Sequence, residues 1–132
     1  MPALPWIQVS EPDADATCIV MASRLPLTSY AHLPSFIRAT TRIRRQLANA
    51  EGLLGYSLDA HVLSKTFWTL SAWRDQEALD RFARGEPHRS VMAATRPHMN
   101  STTFVTWTTT GSELPAKWET AREEVKREAG DR

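Results

Sequence analysis

The spacing of apolar residues predicts alternating strands and helices along this chain. Residues 17–25 are apolar and β-branched, which predicts a first strand that Pro26 ends. Apolar residues then recur at a spacing near 3.6, which predicts a helix that begins at Pro34 and ends near residues 49–52. Alternation over residues 52–63 predicts a second strand with one apolar and one polar face.

The second half of the chain repeats this order. Residues 66–73 predict a third strand that pairs antiparallel with the second across a tight turn. Asp75 is placed to cap a helix that Gly85 and Pro87 interrupt. A short helical piece over residues 89–95 follows the interruption.

The complete order defines a fold class. Residues 101–110 are strongly β-biased and predict the last strand, and Pro115 begins a final helix. The order is β-α-β-β-α-β with a C-terminal helix, the ferredoxin-like arrangement of the α+β class. We expect an N-terminal arm over residues 1–16, a ferredoxin-like domain over 17–110, and a helix and tail over 111–132.

The third predicted strand carries bulky side chains on both sides. Phe67 and Trp73 point one way, and Trp68 and Leu70 point the other. Both sheet faces therefore need a cover, and helices are expected on only one of them. A second copy of the chain, packed sheet to sheet, is the simplest cover for the other face.

Composition narrows the class of protein. The chain has 132 residues, a formal net charge of +1 and one cysteine, Cys18. One cysteine excludes a disulfide within the chain, and the small charge gives no overall field that attracts nucleic acid or an anionic membrane. Residues 1–10 lack the pattern of a signal peptide, and no apolar run is long enough to cross a bilayer. A soluble protein of the cytoplasm is expected.

The candidate site lies in residues 65–98, which contain the third strand and two Pro-His pairs, Pro87-His88 and Pro97-His98. Trp73 directly precedes a helix N-terminus, where it is either a wall that stacks on a flat ligand or a plug at the sheet–helix junction. His88 follows Pro87 at the helix break, where it is either an inward-facing general base or an exposed corner residue. His98 has the same Pro-His context in a connecting loop.

A polar row on the second strand is a further candidate. Asp59 and His61 share a face with Ser57, and we expect Thr69 and Ser71 of the next strand on the matching face. Unpaired buried polar groups are costly. A buried row would therefore be hydrogen-bonded, wet or functional, and the alternative is an exposed sheet face.

Motifs for several other chemistries are missing. The four histidines form no i, i+4 pair and have no Cys or Glu partner at ligand spacing, so no metal site is expected. The sequence has no glycine-rich phosphate loop and no nucleophile elbow. The third strand lacks the glycines of an RNA-binding strand, so no nucleic-acid partner is expected.

Several motifs together resemble the dimeric α+β barrel superfamily that includes the antibiotic-biosynthesis monooxygenases. The second strand opens with Gly52-x-x-Gly55-Tyr56, and Trp73 closes the third. The helix that follows begins with the residues Asp75-Gln-Glu-Ala-Leu79, and a histidine lies near its end. The resemblance covers residues 17–110. Within the superfamily, the chain resembles an uncharacterised group of domains related to spheroidene monooxygenase.

The resemblance implies a homodimer with a pocket between the sheet and the helices of each subunit. Cofactor-free members of the family oxidise polycyclic phenols to quinones. A cofactor-independent monooxygenase of secondary metabolism, acting on an aromatic or polyketide-like small molecule, is therefore expected. His88 is the expected catalytic residue, as the base or as a hydrogen-bonding group that orients the substrate. The expected substrate contacts are Trp73, Trp68, Phe82, Asp59 and His61.

The resemblance also defines the alternatives. Haem-degrading relatives carry a tryptophan in the second helix and a ligand histidine farther along, whereas this chain has Phe82 and Met92 at the corresponding positions. This difference argues against haem degradation and leaves open another haem-binding mode through His88 or His98. The remaining alternatives are a non-catalytic ligand-binding dimer and a polyketide cyclase-like enzyme without redox chemistry.

Overall fold

The chain folds as an antiparallel sheet with helices on both faces. A computed structural model describes residues 5–130; residues 1–4 and 131–132, the outer ends of the predicted arm and tail, lie outside the described residues. The strands of the described part are β1 (Ile7–Gln8), β2 (Thr17–Pro26), β3 (Leu53–His61), β4 (Thr66–Trp73) and β5 (Thr103–Thr110). Its α-helices are α1 (Leu33–Ala48), α2 (Gln76–Arg84), α3 (His88–Thr95) and α4 (Trp118–Ala129).

The strand order confirms the predicted fold class. The sheet runs β1-β3-β4-β2-β5, and every neighbouring pair is antiparallel. From β2 to β5 the elements follow the predicted β-α-β-β-α-β order, with α2 and α3 as the two pieces of the interrupted helix. The short strand β1 adds the N-terminal arm to the edge of the sheet beside β3, a pairing that the apolar pattern did not predict.

The register assigns every strand side chain to one of two faces. Val20 of β2 lies opposite Ala72 of β4, and Ile19 lies opposite Trp73. Side chains alternate along a strand, so Val20 and Ala72 lie on one face and Ile19 and Trp73 on the other. We call the first the α4 face and the second the α1–α3 face, after the helices that pack on them. Leu70 points to the α4 face, as predicted.

The chain itself closes the central part of the α4 face. Ala121 and Val125 of α4 pack against Val20 and Leu70, and this cluster is almost completely buried. The expectation that a second copy is the simplest cover for this face does not hold for its centre, because α4 covers it: a spacing of four places Ala121 and Val125 on the same side of the helix.

The N-terminal arm covers a further part of the α4 face. The indole of Trp6 lies directly over Gly55 of β3, where an added Cβ would come within 2.5 Å of the indole Nε1. Only glycine leaves room for this contact. Trp6 therefore packs on the α4 face, whereas Ile7 packs against the cluster that contains Trp73 on the opposite face.

Local signals fix the elements around the candidate site. The Asp75 carboxylate accepts a hydrogen bond from the Ala78 N–H at 2.9 Å and caps α2, as predicted. The β3–β4 turn contains a short 3-10 segment followed by Lys65, whose φ of 58° is left-handed. Within residues 5–130, no helix has the length and apolarity that a membrane-spanning helix requires.

Candidate active site

A cavity of about 360 Å³ lies between the α1–α3 face of the sheet and the helices α1, α2 and α3. Its volume falls within the range of about 300–1,000 Å³ that is typical of small-ligand sites. The inward stripe of α1 and the facing strand residues make most of the lining apolar. This stripe consists of Phe36, Thr40, Ile43 and Leu47.

Trp73 and Phe82 form the aromatic wall of the cavity. Trp73 ends β4, is 1% exposed, and donates its indole N–H to the Ser71 hydroxyl at 2.8 Å. Its ring lies 5.2 Å from that of Phe82, centroid to centroid, in a tilted arrangement. Because so little of Trp73 is exposed, it closes the sheet–helix junction, as one of the two alternatives proposed, and only a small part of its surface borders the cavity. Stacking of its indole on a ligand stays a prediction.

His88 lies at the first turn of α3 and also lines the cavity. Its backbone N–H donates to the Gln46 side-chain oxygen at 2.9 Å, and the Gln46 amide donates to the Phe82 carbonyl oxygen at 3.2 Å. Gln46 therefore ties α1 to the break between α2 and α3. The side chain of His88 is half-buried, which contradicts the alternative of a fully exposed corner histidine.

The hydrogen bonding of His88 favours one tautomer. Its Nδ1 lies 3.1 Å from the Ala83 carbonyl oxygen, which can only accept, so Nδ1 carries the hydrogen and Nε2 has a lone pair. Among the described residues no hydrogen bond reaches Nε2. Burial lowers the pKa of His88, and the bond to Ala83 opposes this only in part. A neutral imidazole with an available lone pair can accept a proton from a bound molecule.

Tyr56 is a polar lining residue that the sequence did not single out for the site. It is 6% exposed, lines the cavity, and lies opposite Ser71 in the β3–β4 pairing. Its hydroxyl has no hydrogen-bond partner within residues 5–130. The alternation of β3 places Tyr56 on the same face as Leu58 and Ala60, so the sequence pattern contained the signal.

Asp59 and His61 do not lie in the cavity, and their predicted role as substrate contacts there is wrong. They pair with Trp68 and Thr66 of β4, which places them on the α4 face. The Asp59 carboxylate, 2% exposed, binds the Arg122 guanidinium of α4 and lies 2.8 Å from the His61 Nε2. This ion-paired group attaches α4 to the sheet, so the polar row is hydrogen-bonded, one of the outcomes expected for a buried row.

Trp68 borders the cavity, but the register places its indole on the α4 face, with the Arg122 guanidinium carbon 5.8 Å from the ring centroid. Its predicted role as a substrate contact stays a prediction. Thr69 and Ser71 have the opposite placement: they line the cavity and do not share a face with Asp59. The Thr69 hydroxyl is hydrogen-bonded to that of Ser23.

The positions that distinguish haem-degrading relatives face the cavity. Phe82 and Met92 both line it, so the predicted difference from those relatives falls in the site itself. His98 is exposed outside the cavity, and its ring stacks on His32 at 3.9 Å. Of the described histidines, His88 alone lines the cavity, which removes His98 as a ligand for a molecule bound there.

Solved structures share this fold at low sequence identity. SnoaB, a cofactor-independent oxygenase from Streptomyces nogalater, superposes with a TM-score of 0.57 and 16% identity, over 76% of this chain and 100% of that one. A proposed antibiotic-biosynthesis monooxygenase from Caulobacter crescentus has a TM-score of 0.61 and 18% identity, over 70% of this chain and 89% of that one. A proposed monooxygenase from Lactobacillus acidophilus has a TM-score of 0.63 and 12% identity over 80% of this chain. This chain spans only 51% of the Lactobacillus protein.

The sequence itself matches one described family. Comparison with curated proteins finds no match. The family described as Monooxygenase af470-like matches residues 19–120, which include β3 to β5, α1 to α3 and the whole lining of the cavity. The expected kinship with monooxygenases of the ferredoxin-like fold is confirmed. The chain belongs to the Monooxygenase af470-like family.

Proposed function

We propose that the protein is a cofactor-independent monooxygenase that oxidises an aromatic or polyketide-like molecule inside the cavity. The observation that carries this proposal is His88: a half-buried imidazole lines an aromatic-walled cavity, with Nδ1 engaged by Ala83 and Nε2 available. The family match and the fold shared with a cofactor-independent oxygenase support the same reaction class.

Each lining group has a defined task in the proposed site. Nε2 of His88 accepts a proton from the substrate, and the aromatic wall of Trp73 and Phe82 packs on its ring system. The Tyr56 hydroxyl supplies a hydrogen bond to a substrate oxygen. The apolar lining excludes water, which strengthens the interactions of the charge that develops on the substrate.

The proposed reaction balances without an external reductant. His88 removes a proton from an acidic C–H or from a phenol, and the resulting carbanion gives one electron to O₂. The two radicals combine into a carbon-bound peroxide anion, which takes the proton back from His88, and loss of water from this hydroperoxide leaves a carbonyl. With anthrone as the probe, one anthrone and one O₂ become one anthraquinone and one water.

Oxygen uptake with anthrone tests the proposal. The wild-type protein should consume one O₂ for each anthraquinone formed, and His88→Asn should lower the rate by about 10²–10⁴-fold, the usual contribution of general base catalysis. His98→Asn is the matched control, since this exposed histidine lies outside the cavity, and it should retain the wild-type rate. Equal rates for both variants and wild type would contradict the assignment of His88.

The second candidate is a ligand-binding domain without redox chemistry, and the predominance of apolar groups in the lining favours it. In that case anthrone or a phenol analogue would bind without oxygen uptake. A cyclase-like enzyme would instead convert a polyketide-like substrate without consuming O₂. Haem binding through His88 would give a Soret band when haemin is added, and loss of that band in His88→Asn.

We further propose that the protein is a homodimer. β5 is an edge strand of the described sheet, and Phe104 near its start is 49% exposed although it lines the cavity. An unpaired edge with an exposed aromatic side chain is a surface that a second copy can cover. Light scattering should give twice the mass of one chain, and a single-chain mass at micromolar concentration would contradict the dimer.

A further inference from the structure

One charged side chain stands at the cavity. Of the described residues that line it, Arg44 alone carries a permanent charge. Helix α1 contains no Asp or Glu, and no ion pair of Arg44 occurs within residues 5–130. A mostly apolar cavity is therefore bordered by a cation that has no carboxylate partner among the described residues.

The spacing of α1 places Arg44 at the mouth of the cavity. Ile37, Thr41 and Arg44 are spaced by four and three residues, so they form one row beside the inward stripe, and all three are exposed and line the cavity. Gln46 lies on the opposite side of the stripe, where it binds the backbone of His88. The cation and the imidazole thus lie on opposite sides of the inward stripe.

The position of the Arg44 charge at the mouth of a mostly apolar cavity favours one class of ligand. We propose that Arg44 binds an acidic group, such as a carboxylate, at one end of a flat aromatic substrate whose rings enter the cavity. The inference rests on the proposed function only in taking the cavity as the substrate site. A guanidinium offers two parallel N–H donors to a carboxylate, and a partly exposed position lets the acidic group stay near water.

Two ligands of the same shape, one charged and one neutral, isolate the contribution of the charge to binding. At pH 7.5 and low salt, 2-naphthoate carries a carboxylate where 2-naphthamide carries a neutral amide. Binding to the wild-type protein, followed by calorimetry, should favour naphthoate by about three- to tenfold, as expected for a charge-assisted pair at a partly exposed site. Added salt should weaken naphthoate binding and leave naphthamide binding unchanged.

Variants on the same helix locate the effect. Arg44→Gln should remove the preference for naphthoate and leave naphthamide affinity unchanged. Arg45→Gln, the matched control, removes the same charge from an exposed residue that does not line the cavity, and should keep the preference. Equal binding of both probes to wild type, no binding of either, or an equal loss in both variants would overturn the proposal.

The binding test is separate from the test of catalysis because no turnover is measured. Failure of oxygen uptake with a retained naphthoate preference would reject the monooxygenase and keep the acidic ligand. Oxygen uptake with no charge preference would reject Arg44 and keep the monooxygenase.

Discussion

The two faces of the sheet solve the same packing problem in opposite ways. On the α4 face, Val20, Leu70, Ala121 and Val125 are almost completely buried, and the pocket on this side, of about 530 Å³, lies beside them, between the N-terminal arm and residues 112–118. On the α1–α3 face, the helices stand over a cavity of about 360 Å³. Close packing stabilises a fold, and an unfilled apolar cavity gives up part of that stabilisation. The difference indicates that the centre of the α4 face holds the protein together, whereas the centre of the α1–α3 face is hollow and can take a ligand.

The two faces also differ in how many of their polar groups are paired with one another. On the α4 face the Asp59 Oδ2 binds both the Arg122 guanidinium and the His61 imidazole, while the other oxygen, Oδ1, is buried without a partner among the described residues. On the α1–α3 face the Tyr56 hydroxyl and the Nε2 of His88 have no partner within the described residues. Available polar groups beside a cavity are what a binding site requires, whereas mutually paired groups serve structure.

The largest expected effect comes from a matched pair of leucines. Leu70 is 1% exposed in the α4-face core, and Leu58 is half-buried beside the cavity. Leu70→Ala should cost about 2–5 kcal/mol of the free energy of unfolding, and Leu58→Ala clearly less, because part of its side chain already faces open space. Urea denaturation measures both. Equal losses would remove the distinction between the packed and the open face.

The ion-paired group of the α4 face should show the next largest effect. Arg122→Met leaves the buried Asp59 carboxylate with only His61, and should cost about 1–3 kcal/mol of the free energy of unfolding. Because Arg122 is 40% exposed, water limits the loss. Arg127→Met, at an exposed ion pair in the same helix, should change stability by less than about 1 kcal/mol. A double variant, Asp59→Asn with Arg122→Met, should recover part of the loss. An equal effect of Arg122→Met and Arg127→Met in urea denaturation would contradict this account.

The smallest expected effect concerns the pH dependence of stability on the cavity side. Since burial lowers the pKa of His88, the unfolded chain binds a proton there at higher pH than the folded chain does. The wild-type protein should therefore lose stability as pH falls through about 6.5, the usual histidine pKa, until the lower folded pKa is reached. His88→Gln should lack this part of the pH dependence. Parallel pH curves from chemical denaturation of the two proteins would show that His88 is not buried.

Most of the fold could be predicted from the sequence because its signals are local. Alternation defined β3, and the Asp75 cap and the Gly85 break defined α2 and the gap before α3. The location of Trp73 at the sheet–helix junction, and of His88 at the break between α2 and α3, followed from the same order. The role of α4 as a cover was missed, since nothing in a single amphipathic helix states which surface it meets.

The faces of the sheet were predicted less well because they depend on register. The turn between β3 and β4 pairs His61 with Thr66, so odd positions of β3 lie opposite even positions of β4. Any turn of an even number of residues would give this parity, and it places Asp59 beside Trp68 and away from Thr69. The prediction grouped polar residues of adjacent strands by their chemistry, and the pairing shows that they lie on opposite faces.

A crystal structure with a bound polycyclic phenol tests the central claim most directly. The rings should lie in the cavity between Trp73 and the inward stripe of α1, with the phenol oxygen within hydrogen-bond distance of His88 Nε2. The phenol bound instead on the α4 face, beside the Trp68 and Trp118 indoles, with the cavity unoccupied, would contradict the assignment of the α1–α3 face as the active site.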